Sequence, residues 1–264
     1  LHTAYRRQRQ MCIRDRDSID LDDWMKIYCE ARYGGYPDAM EEAWKLFRKT
    51  AYSSLYSYPR FTWQTVIPDQ RRISKIDLSD DYLQAIRLYA SCADELKSSE
   101  LYRNDLIEFV SYYVAAKAEN FYKQALKDDS ENRVLAAQRN LQQTVDLLMD
   151  VDRLLASHPL YRLEEWVELA RNSGTTLQEK DAYEANAKRL ITSWGGIQED
   201  YAARFWSGLI KDYYIPRIQL YFTKDRNKIR EWEEQWITSP WSNSTTPFDD
   251  PVEAALSLIE KTNK

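Results

Sequence analysis

The chain has 264 residues, with 37 basic and 42 acidic side chains, six glycines and 44% hydrophobic residues, which excludes disorder and collagen-like repeats. The scarcity of glycine favours long helices, and the formal charge of −5 argues against a nucleic-acid or anionic-membrane surface as the main role. No stretch approaches the roughly 18 consecutive apolar residues of a membrane span.

Residues 1 to 16 differ from the rest of the chain, because they hold five arginines against one acid and show no apolar period. The run Arg9-Gln-Met-Cys-Ile-Arg-Asp-Arg16 resembles translated sequencing-adapter read-through, and a disordered basic arm is the alternative. No apolar region follows the charges, so a secretory signal is not predicted. We expect a non-native or disordered segment over 1–16, a folded domain over 17–264, and true upstream sequence that is missing.

The three cysteines do not form a metal or disulfide pattern. Cys12 belongs to the basic segment, whereas Cys29 and Cys92 lie in amphipathic runs without any CxxC spacing. Two cysteines and His158 cannot supply the four ligands of a structural zinc site. We expect two buried structural thiols, with neither a metal nor a cofactor.

Helical patterns begin at residue 20. Asp20 is placed to cap a first helix that ends near Gly34. Its predicted apolar face consists of Leu21, Trp24, Met25, Ile27 and Tyr28. A second helix begins at Pro37 and has a core-facing stripe of Met40, Ala43, Trp44, Phe47 and Ala51. Residues 55 to 78 then show no helical period, and so long an irregular loop is often functional or covering.

Longer helical patterns follow this loop. Ser79 is predicted to cap a helix through about Leu96, and the run from Glu100 to Leu126 places apolar side chains on one face. Ser130 is predicted to open another long helix, so that the short segment Lys127-Asp-Asp joins antiparallel neighbours.

Clear start and stop signals mark the next helices. His158-Pro159 breaks the pattern, and Gly174 is expected to stop a short helix as a left-handed cap. Thr176 with Glu179 forms a capping box for a helix that is predicted to run to Trp194, where two glycines end it.

Another helix is predicted from Glu199, because aromatic and aliphatic residues recur there at intervals of four. Pro216 should kink or divide it, since proline lacks a backbone donor and crowds the preceding turn. A last helix is capped by Asp250-Pro251. With no alternating strand pattern, we predict an all-α array of about eight to ten helices with one long irregular loop near residues 55–78. A helical solenoid is not supported, because Trp and Gly do not recur at about 34 or 40 residues.

Known catalytic motifs are missing from the sequence, which has no GxxxxGK[ST], GxGxxG, HExxH or GxSxG. Carboxylate pairs such as Glu164 and Glu168 are typical of a solvated helix face. The aromatic content of 13% suits both core packing and stacking on sugar rings. Trp194 is the exception to core packing that we single out, because a Trp before two glycines at a helix end tends to lie on a loop.

Three segments together resemble a known domain: Trp24 to Tyr52, Leu101 to Leu126 and Leu154 to Phe222. The third combines Trp-Gly, Asp-Tyr-Ala and Tyr-Tyr-x-Pro-Arg motifs, which are Trp194-Gly195, Asp200-Tyr-Ala202 and Tyr213-Tyr-Ile-Pro-Arg217. Nearly all of residues 20 to 264 is similar, in order, to the C-terminal helical domain of the α-N-acetylglucosaminidases, glycoside hydrolase family 89.

The resemblance implies a retaining enzyme that removes terminal α-linked N-acetylglucosamine from glycans on a (β/α)-barrel of the same polypeptide. Both catalytic carboxyls of the family come from that barrel, so this chain alone is expected to be inactive. The helical domain packs on the barrel and closes one side of the sugar pocket. Trp194 matches the family Trp on that wall, Ile197 and Tyr201 match positions near it, and Arg217 is expected to be a structural arginine.

A free-standing helical interaction module is the alternative function. An upstream barrel with two inward carboxylates would decide between the two hypotheses. A weaker discriminator is an apolar patch, since a surface that faces a barrel should leave one exposed on this domain. The substrate class implies an extracytoplasmic compartment, whether secreted, periplasmic or lysosome-like.

Overall fold

A computed structural model of the chain describes residues 20–52, 61–65, 79–194, 200, 202–223, 225–241 and 244–262. Predictions for residues 1 to 16 and for most of residues 55 to 78 lie outside these ranges. The described residues form eleven α-helices, one 3₁₀ turn and one π-helical turn, and their sole β-type pairing is a single bridge between Arg162 and Ser207. The predicted all-α array is therefore confirmed.

The helices follow one another along the chain as α1 (Leu21–Tyr33), α2 (Asp38–Lys49), α3 (Asp80–Ser91), α4 (Ala93–Leu96), α5 (Glu100–Ser130), α6 (Val134–Leu155), α7 (Leu163–Asn172), α8 (Leu177–Leu190), α9 (Ile215–Tyr221), α10 (Arg226–Thr238) and α11 (Pro251–Lys261). The 3₁₀ turn is Thr62–Gln64, and the π-helical turn is Ile210–Tyr214. The single-turn helix α4 and helix α10, which is not among the predicted helices, bring the number above the expected eight to ten. No helix in the described ranges is long and apolar enough to cross a bilayer.

Helix α5 lies at the centre of the array and packs most extensively against α6. The connection between them is only three residues long, which makes them antiparallel neighbours. Helices α1, α3 and α11 also contact α5, while α2 pairs with α3 and α7 pairs with α8. The side chains of α5 that form the middle of the core include Tyr102, Leu106, Ile107, Val110, Tyr113, Val114 and Tyr122.

The predicted limits of α1 are confirmed, but its predicted apolar face is only partly buried. The Asp20 carboxylate accepts the N–H groups of Asp22 and Asp23 at 2.8 and 3.2 Å, and Gly34 ends the helix with a φ of 86°. Three apolar side chains of the predicted face remain exposed, namely Leu21, Trp24 and Ile27 at 54%, 47% and 65%. Met25 of the predicted face is buried, and so are Cys29 and Tyr33.

The predicted junction between α5 and α6 is wrong. Residues 127 to 129 are helical and Ser130 is the last residue of α5, so Ser130 opens no helix. The buried Asp128 carboxylate holds this last turn, because it accepts Arg133 Nε at 3.0 Å and Asn140 Nδ2 at 2.8 Å. Asn132, with a φ of 59°, turns the chain.

Two predicted helix ends near α7 and α8 are also corrected. Gly174 is not left-handed, and α7 ends at Asn172. A Cβ at Gly174 would lie 2.7 Å from the Lys180 backbone nitrogen, so glycine here permits the close approach of α8. The Thr176–Glu179 capping box is confirmed, but α8 ends at Leu190, four residues before Trp194.

The helix predicted from Glu199 begins later than expected. Residues 203 to 206 are irregular, and the π-helical turn starts at Ile210 and runs directly into α9. Pro216 is the second residue of α9. The wide π turn before it replaces the α-helical turn that a proline would crowd, so the predicted division at Pro216 takes the form of a change in helix type.

The prediction for the two thiols is confirmed. Cys29 and Cys92 are free and buried, and neither is paired in a disulfide. Burial raises the pKa of Cys29 to about 12 and that of Cys92 to about 11. Both side chains therefore act as small apolar core residues.

Candidate functional site

Trp194, the main candidate site residue, lies in the turn that follows α8. Its backbone N–H donates to the Arg189 carbonyl at 2.8 Å, and its side chain is half-buried. Its φ of 53° is left-handed, a conformation that costs a residue with a Cβ about 1–2 kcal/mol. Ile197 and Tyr201 lie outside the described residues, so the structure locates only Trp194 among the three.

Asp200 is the last residue of the Trp194 segment, which is residues 194–200 and of which the structure describes Trp194 and Asp200. Its N–H donates to the Thr192 carbonyl at 2.9 Å, and its φ is 59°. The Thr192 hydroxyl in turn donates to the Lys188 carbonyl at 2.7 Å. The two ends of the Trp194 segment are therefore joined at the C-terminus of α8.

Beneath this junction lies Arg217 of α9, whose side chain is only 2% exposed. Its Nη1 donates to Asp200 Oδ1 at 2.9 Å and to Glu233 Oε1 at 3.0 Å, and its Nη2 donates to the Gln64 carbonyl at 2.7 Å. The guanidinium also lies 4.7 Å from the centre of the Tyr213 ring. Arg217 thus ties together four stretches of chain that are far apart in sequence, which confirms the expectation of a structural arginine.

The carboxylates around Arg217 keep its guanidinium ionised. Burial by itself lowers its pKa, but the nearby Asp200 carboxylate and the Glu233 carboxylate outweigh burial and hold the pKa well above the usual value. The Tyr213 hydroxyl donates to the same Glu233 oxygen at 2.7 Å. Removing one partner of such a buried set leaves another charge without compensation, which is strongly destabilising.

The 3₁₀ turn brings part of the predicted irregular loop to this cluster. The Thr62 N–H donates to the buried Glu119 carboxylate at 2.8 Å, and the Gln64 amide donates to the Arg204 carbonyl at 3.3 Å. The rings of Phe61 and Trp63 stack with centres 4.9 Å apart inside the core. The described part of the 55–78 loop is therefore anchored against α5 and Arg217.

Helix α8 is held in place by buried ionic contacts with α10 and with the residues that follow it. Lys188 Nζ donates to the Trp236 carbonyl at 2.7 Å and to the Ser239 carbonyl at 2.5 Å. Glu184, 3.3 Å from Lys188, accepts the Trp241 N–H at 2.5 Å. Burial lowers the pKa of Lys188, but its contacts are those of an ammonium that caps a helix C-terminus.

Every buried carboxylate of the described residues has hydrogen-bond or ion-pair partners, so none is free to act as an acid or base. Asp200 and Glu233 both accept from Nη1 of Arg217. They are buried and neutralised there, and a glycan cannot reach them. The complete set of buried carboxylates is Asp105, Glu119, Asp128, Asp152, Glu184, Asp200 and Glu233. Within the same ranges, no group of three or more His, Cys, Asp or Glu could hold a metal ion.

An apolar groove of about 350 Å³ lies between α7 and α8. Its lining includes Trp166, Leu169, Tyr183 and Leu190, and contains no charged side chain and no part of Trp194. The groove therefore offers surface for packing but no group for acid–base chemistry, and it is separate from the Trp194 turn.

Comparison with known proteins gives one consistent result. The family model described as the α-N-acetylglucosaminidase (NAGLU) C-terminal domain matches residues 24–261. Human α-N-acetylglucosaminidase is 29% identical to the chain over 274 residues, which cover 92% of this chain and 36% of the human protein.

Solved structures show the same fold. A family 89 glycoside hydrolase from Clostridium perfringens, in complex with 2-acetamido-1,2-dideoxynojirmycin, has a TM-score of 0.80 and 23% identity over 93% of this chain and 32% of its own. A variant of the Clostridium perfringens enzyme with two glutamates replaced, in complex with its substrate GlcNAc-α-1,4-galactose, has a TM-score of 0.80 at 22% identity. The chain spans about a third of the length of these relatives.

Proposed function

This chain belongs to the α-N-acetylglucosaminidase family, glycoside hydrolase family 89, as a C-terminal domain, and from that premise we propose that it serves a retaining exo-α-N-acetylglucosaminidase. Such an enzyme removes terminal α-linked N-acetylglucosamine from glycans. The match of residues 24–261 to the C-terminal domain of these enzymes is the observation that carries the proposal. Because glycans of this kind lie outside the cytoplasm, we propose an extracytoplasmic compartment.

The catalytic carboxyls belong, in this proposal, to a (β/α)-barrel of the same polypeptide. A retaining glycosidase needs two accessible carboxyl groups about 5–5.5 Å apart. The buried carboxylates of the described residues are bound to arginine, lysine or backbone N–H groups, as Asp200 and Glu233 are bound to Arg217. The helical domain therefore contributes binding surface and support, and the proposal includes no cofactor.

Trp194, Ile197 and Tyr201 form one wall of the sugar pocket in this proposal. The position of Trp194 supports its part, because a half-buried aromatic ring on a fixed turn can stack on the apolar face of a sugar. A turn with a left-handed φ of 53° keeps one backbone conformation, so the ring needs little reordering when the sugar binds.

The exposed side of α1 supports packing on the barrel. Leu21, Trp24 and Ile27 lie on one face of this helix and remain largely exposed, and Trp24 stacks on Tyr28 with ring centres 5.4 Å apart. Burial of a large apolar side chain contributes about 1.5–3 kcal/mol. Three such side chains on one helix are suited to contact with a larger domain, and this exposure supports the proposed packing on the barrel.

Hydrolysis of an aryl α-N-acetylglucosaminide tests the proposal. The polypeptide that joins this domain to its barrel should release the aryl group and give the α-anomer of the free sugar first, as proton NMR would show. The isolated chain should give no turnover. Turnover by the pure isolated chain that one Glu or Asp substitution within it abolishes, or an inactive joined polypeptide, would contradict the proposal, and the latter result would favour a helical interaction module.

A further inference from the structure

We propose that Arg217 is a positioning residue for the sugar pocket, which acts through Asp200 and Thr192 on the turn that carries Trp194. This role rests on the proposed function, because Trp194 contacts a sugar only if the domain forms a pocket wall. Arg217 itself is buried and touches no substrate in the proposal.

Both described ends of the Trp194 segment have unusual backbone conformations. Trp194 and Asp200 are two of the three non-glycine residues with positive φ among those described, with values of 53° and 59°. Such conformations persist only where the surroundings determine them strongly. At Trp194 the backbone N–H donates to the Arg189 carbonyl at 2.8 Å.

At Asp200 both the backbone and the side chain are fixed. The N–H donates to the Thr192 carbonyl at 2.9 Å, and the carboxylate accepts Arg217 Nη1 at 2.9 Å. The first contact joins Asp200 to the end of α8, and the second joins it to α9. Through Asp200, the position of α9 therefore influences Thr192, which lies two residues before Trp194.

Arg217 is a rigid anchor for this contact, because its other partners do not belong to the Trp194 segment. Glu233 of α10 accepts Nη1 at 3.0 Å, and the Gln64 carbonyl accepts Nη2 at 2.7 Å. The Tyr213 and Tyr214 rings lie 4.7 and 5.4 Å from the guanidinium carbon. A lysine has no planar guanidinium and cannot donate to all of these acceptors at once.

A double-mutant cycle in the full-length enzyme separates this role from a merely structural one. Asp200→Asn keeps the shape of the side chain, and Asn tolerates a positive φ better than most residues, so the change removes the charge pair while the backbone is retained. We would measure kcat/KM on an aryl α-N-acetylglucosaminide for Asp200→Asn, Trp194→Ala and the double variant, with Tm recorded for each.

A matched control uses another ion pair in the same domain. Arg32 of α1 donates to the Asp105 carboxylate of α5 at 2.7 and 2.6 Å, and this ion pair joins two other helices of the array. Arg32→Lys and Arg217→Lys each lose a planar fork, so both should lower Tm. The Arg217 change should also lower kcat/KM, and the Arg32 change should not.

The expected coupling is specific. Asp200→Asn should lower kcat/KM about tenfold in the wild-type background, which corresponds to about 1.4 kcal/mol. In the Trp194→Ala background the same change should lower it less than about twofold, because residues that act together are not additive. Asp200→Gly, which adopts the left-handed conformation freely, should show the same coupling. If both Asp200 variants fail to fold, Arg217→Lys, which keeps a positive charge but loses the planar fork, should show this coupling with Trp194→Ala.

Additive losses at Asp200 and Trp194, or a full rate in both Asp200 variants, would overturn the positioning role and leave the pocket wall intact. Normal kinetics for Trp194→Ala would instead refute the pocket wall itself, and the positioning role with it. The two failures are therefore distinct.

Discussion

Asp152 of α6 offers a quantitative test of how the helical array is built around the site. Its carboxylate is fully buried, and Oδ1 accepts the N–H groups of Gly208 and Lys211 at 2.8 and 3.0 Å. Oδ2 accepts the Thr245 hydroxyl at 2.5 Å. One carboxylate thus caps the start of the helical segment that leads to Arg217. It also binds Thr245, which lies between α10 and α11.

Two substitutions at Asp152 should differ sharply in their effect on the free energy of unfolding. Asp152→Ala leaves two backbone donors without a partner, and at about 1–3 kcal/mol for each it should lower stability by about 2–6 kcal/mol. Asp152→Asn keeps an oxygen for both donors, and the hydroxyls of Thr245 and Ser207, which donate to Oδ2 at 2.5 and 3.3 Å, can rotate to accept from the new amide. The asparagine variant loses only the favourable charge at the helix start, about 2 kcal/mol at most.

Removal of the buried charge offsets part of that loss in the asparagine variant, because burial raises the pKa of Asp152 and so disfavours its ionised form. Urea unfolding of the 264-residue chain, followed by far-UV circular dichroism, gives both free energies from the midpoints and slopes. The Asp152→Ala variant should be less stable than the Asp152→Asn variant by at least about 1 kcal/mol, which is the net contribution of a typical hydrogen bond. Equal losses in the two variants would refute the reasoning from the backbone donors.

Three further predictions concern other parts of the chain. Deletion of residues 1 to 16 should leave Tm unchanged, and a fall of several degrees would contradict the view that they add no stability. In that shortened chain, Cys29 and Cys92 should resist iodoacetamide at pH 8 until denaturant is added, because burial raises the pKa of both thiols; rapid labelling of the folded chain would contradict this. Hydrogen bonds from Thr175 and its neighbour lower the pKa of Glu179 from 4.5 to about 2, so its stabilising contribution should be complete above about pH 4.5 and lost as the pH falls towards 2. If the urea midpoint of Glu179→Gln fell with decreasing pH as steeply as that of the wild type, this prediction would be contradicted.

Helix starts could be predicted from the sequence because their signals are local. The side chains of four residues each accept an N–H two or three residues further along and so cap the predicted helices: Asp20, Ser79, Thr176 and Asp250. Helix α10 also has such a signal, since Asp225 caps it. The regular spacing of Ile229, Trp232 and Trp236 could have identified this helix before the structure was known.

Helix ends were harder to predict because tertiary contacts decide them. Asp128 holds the end of α5 through Asn140, a residue of the next helix. Gly174 was expected to be a cap, but the close approach of the Lys180 backbone determines its role. No pattern within one segment contains either contact.

The contacts of Arg217 could not be predicted from local sequence patterns either. Its partners Gln64, Asp200 and Glu233 are up to 153 residues away in sequence, and no spacing rule joins them. The Tyr-Tyr-x-Pro-Arg motif identified Arg217 as structural, but not what it holds. The turn position of Trp194 followed from the two glycines after it, whereas its role in binding rests on family resemblance and stays a prediction.

The most direct test of the account is the kcat/KM of Trp194→Ala in the full-length enzyme, with Trp166→Ala as the matched control. Trp166 is also half-buried, and its indole N–H donates to the Ala187 carbonyl at 2.9 Å, so its loss should lower Tm without changing kcat/KM. A ring stacked on the sugar contributes about 1–3 kcal/mol, and Trp194→Ala should therefore lower kcat/KM by about one to two decades with little change in Tm. Normal kinetics in a destabilised Trp194→Ala protein would show that Trp194 is a packing residue and would contradict the account.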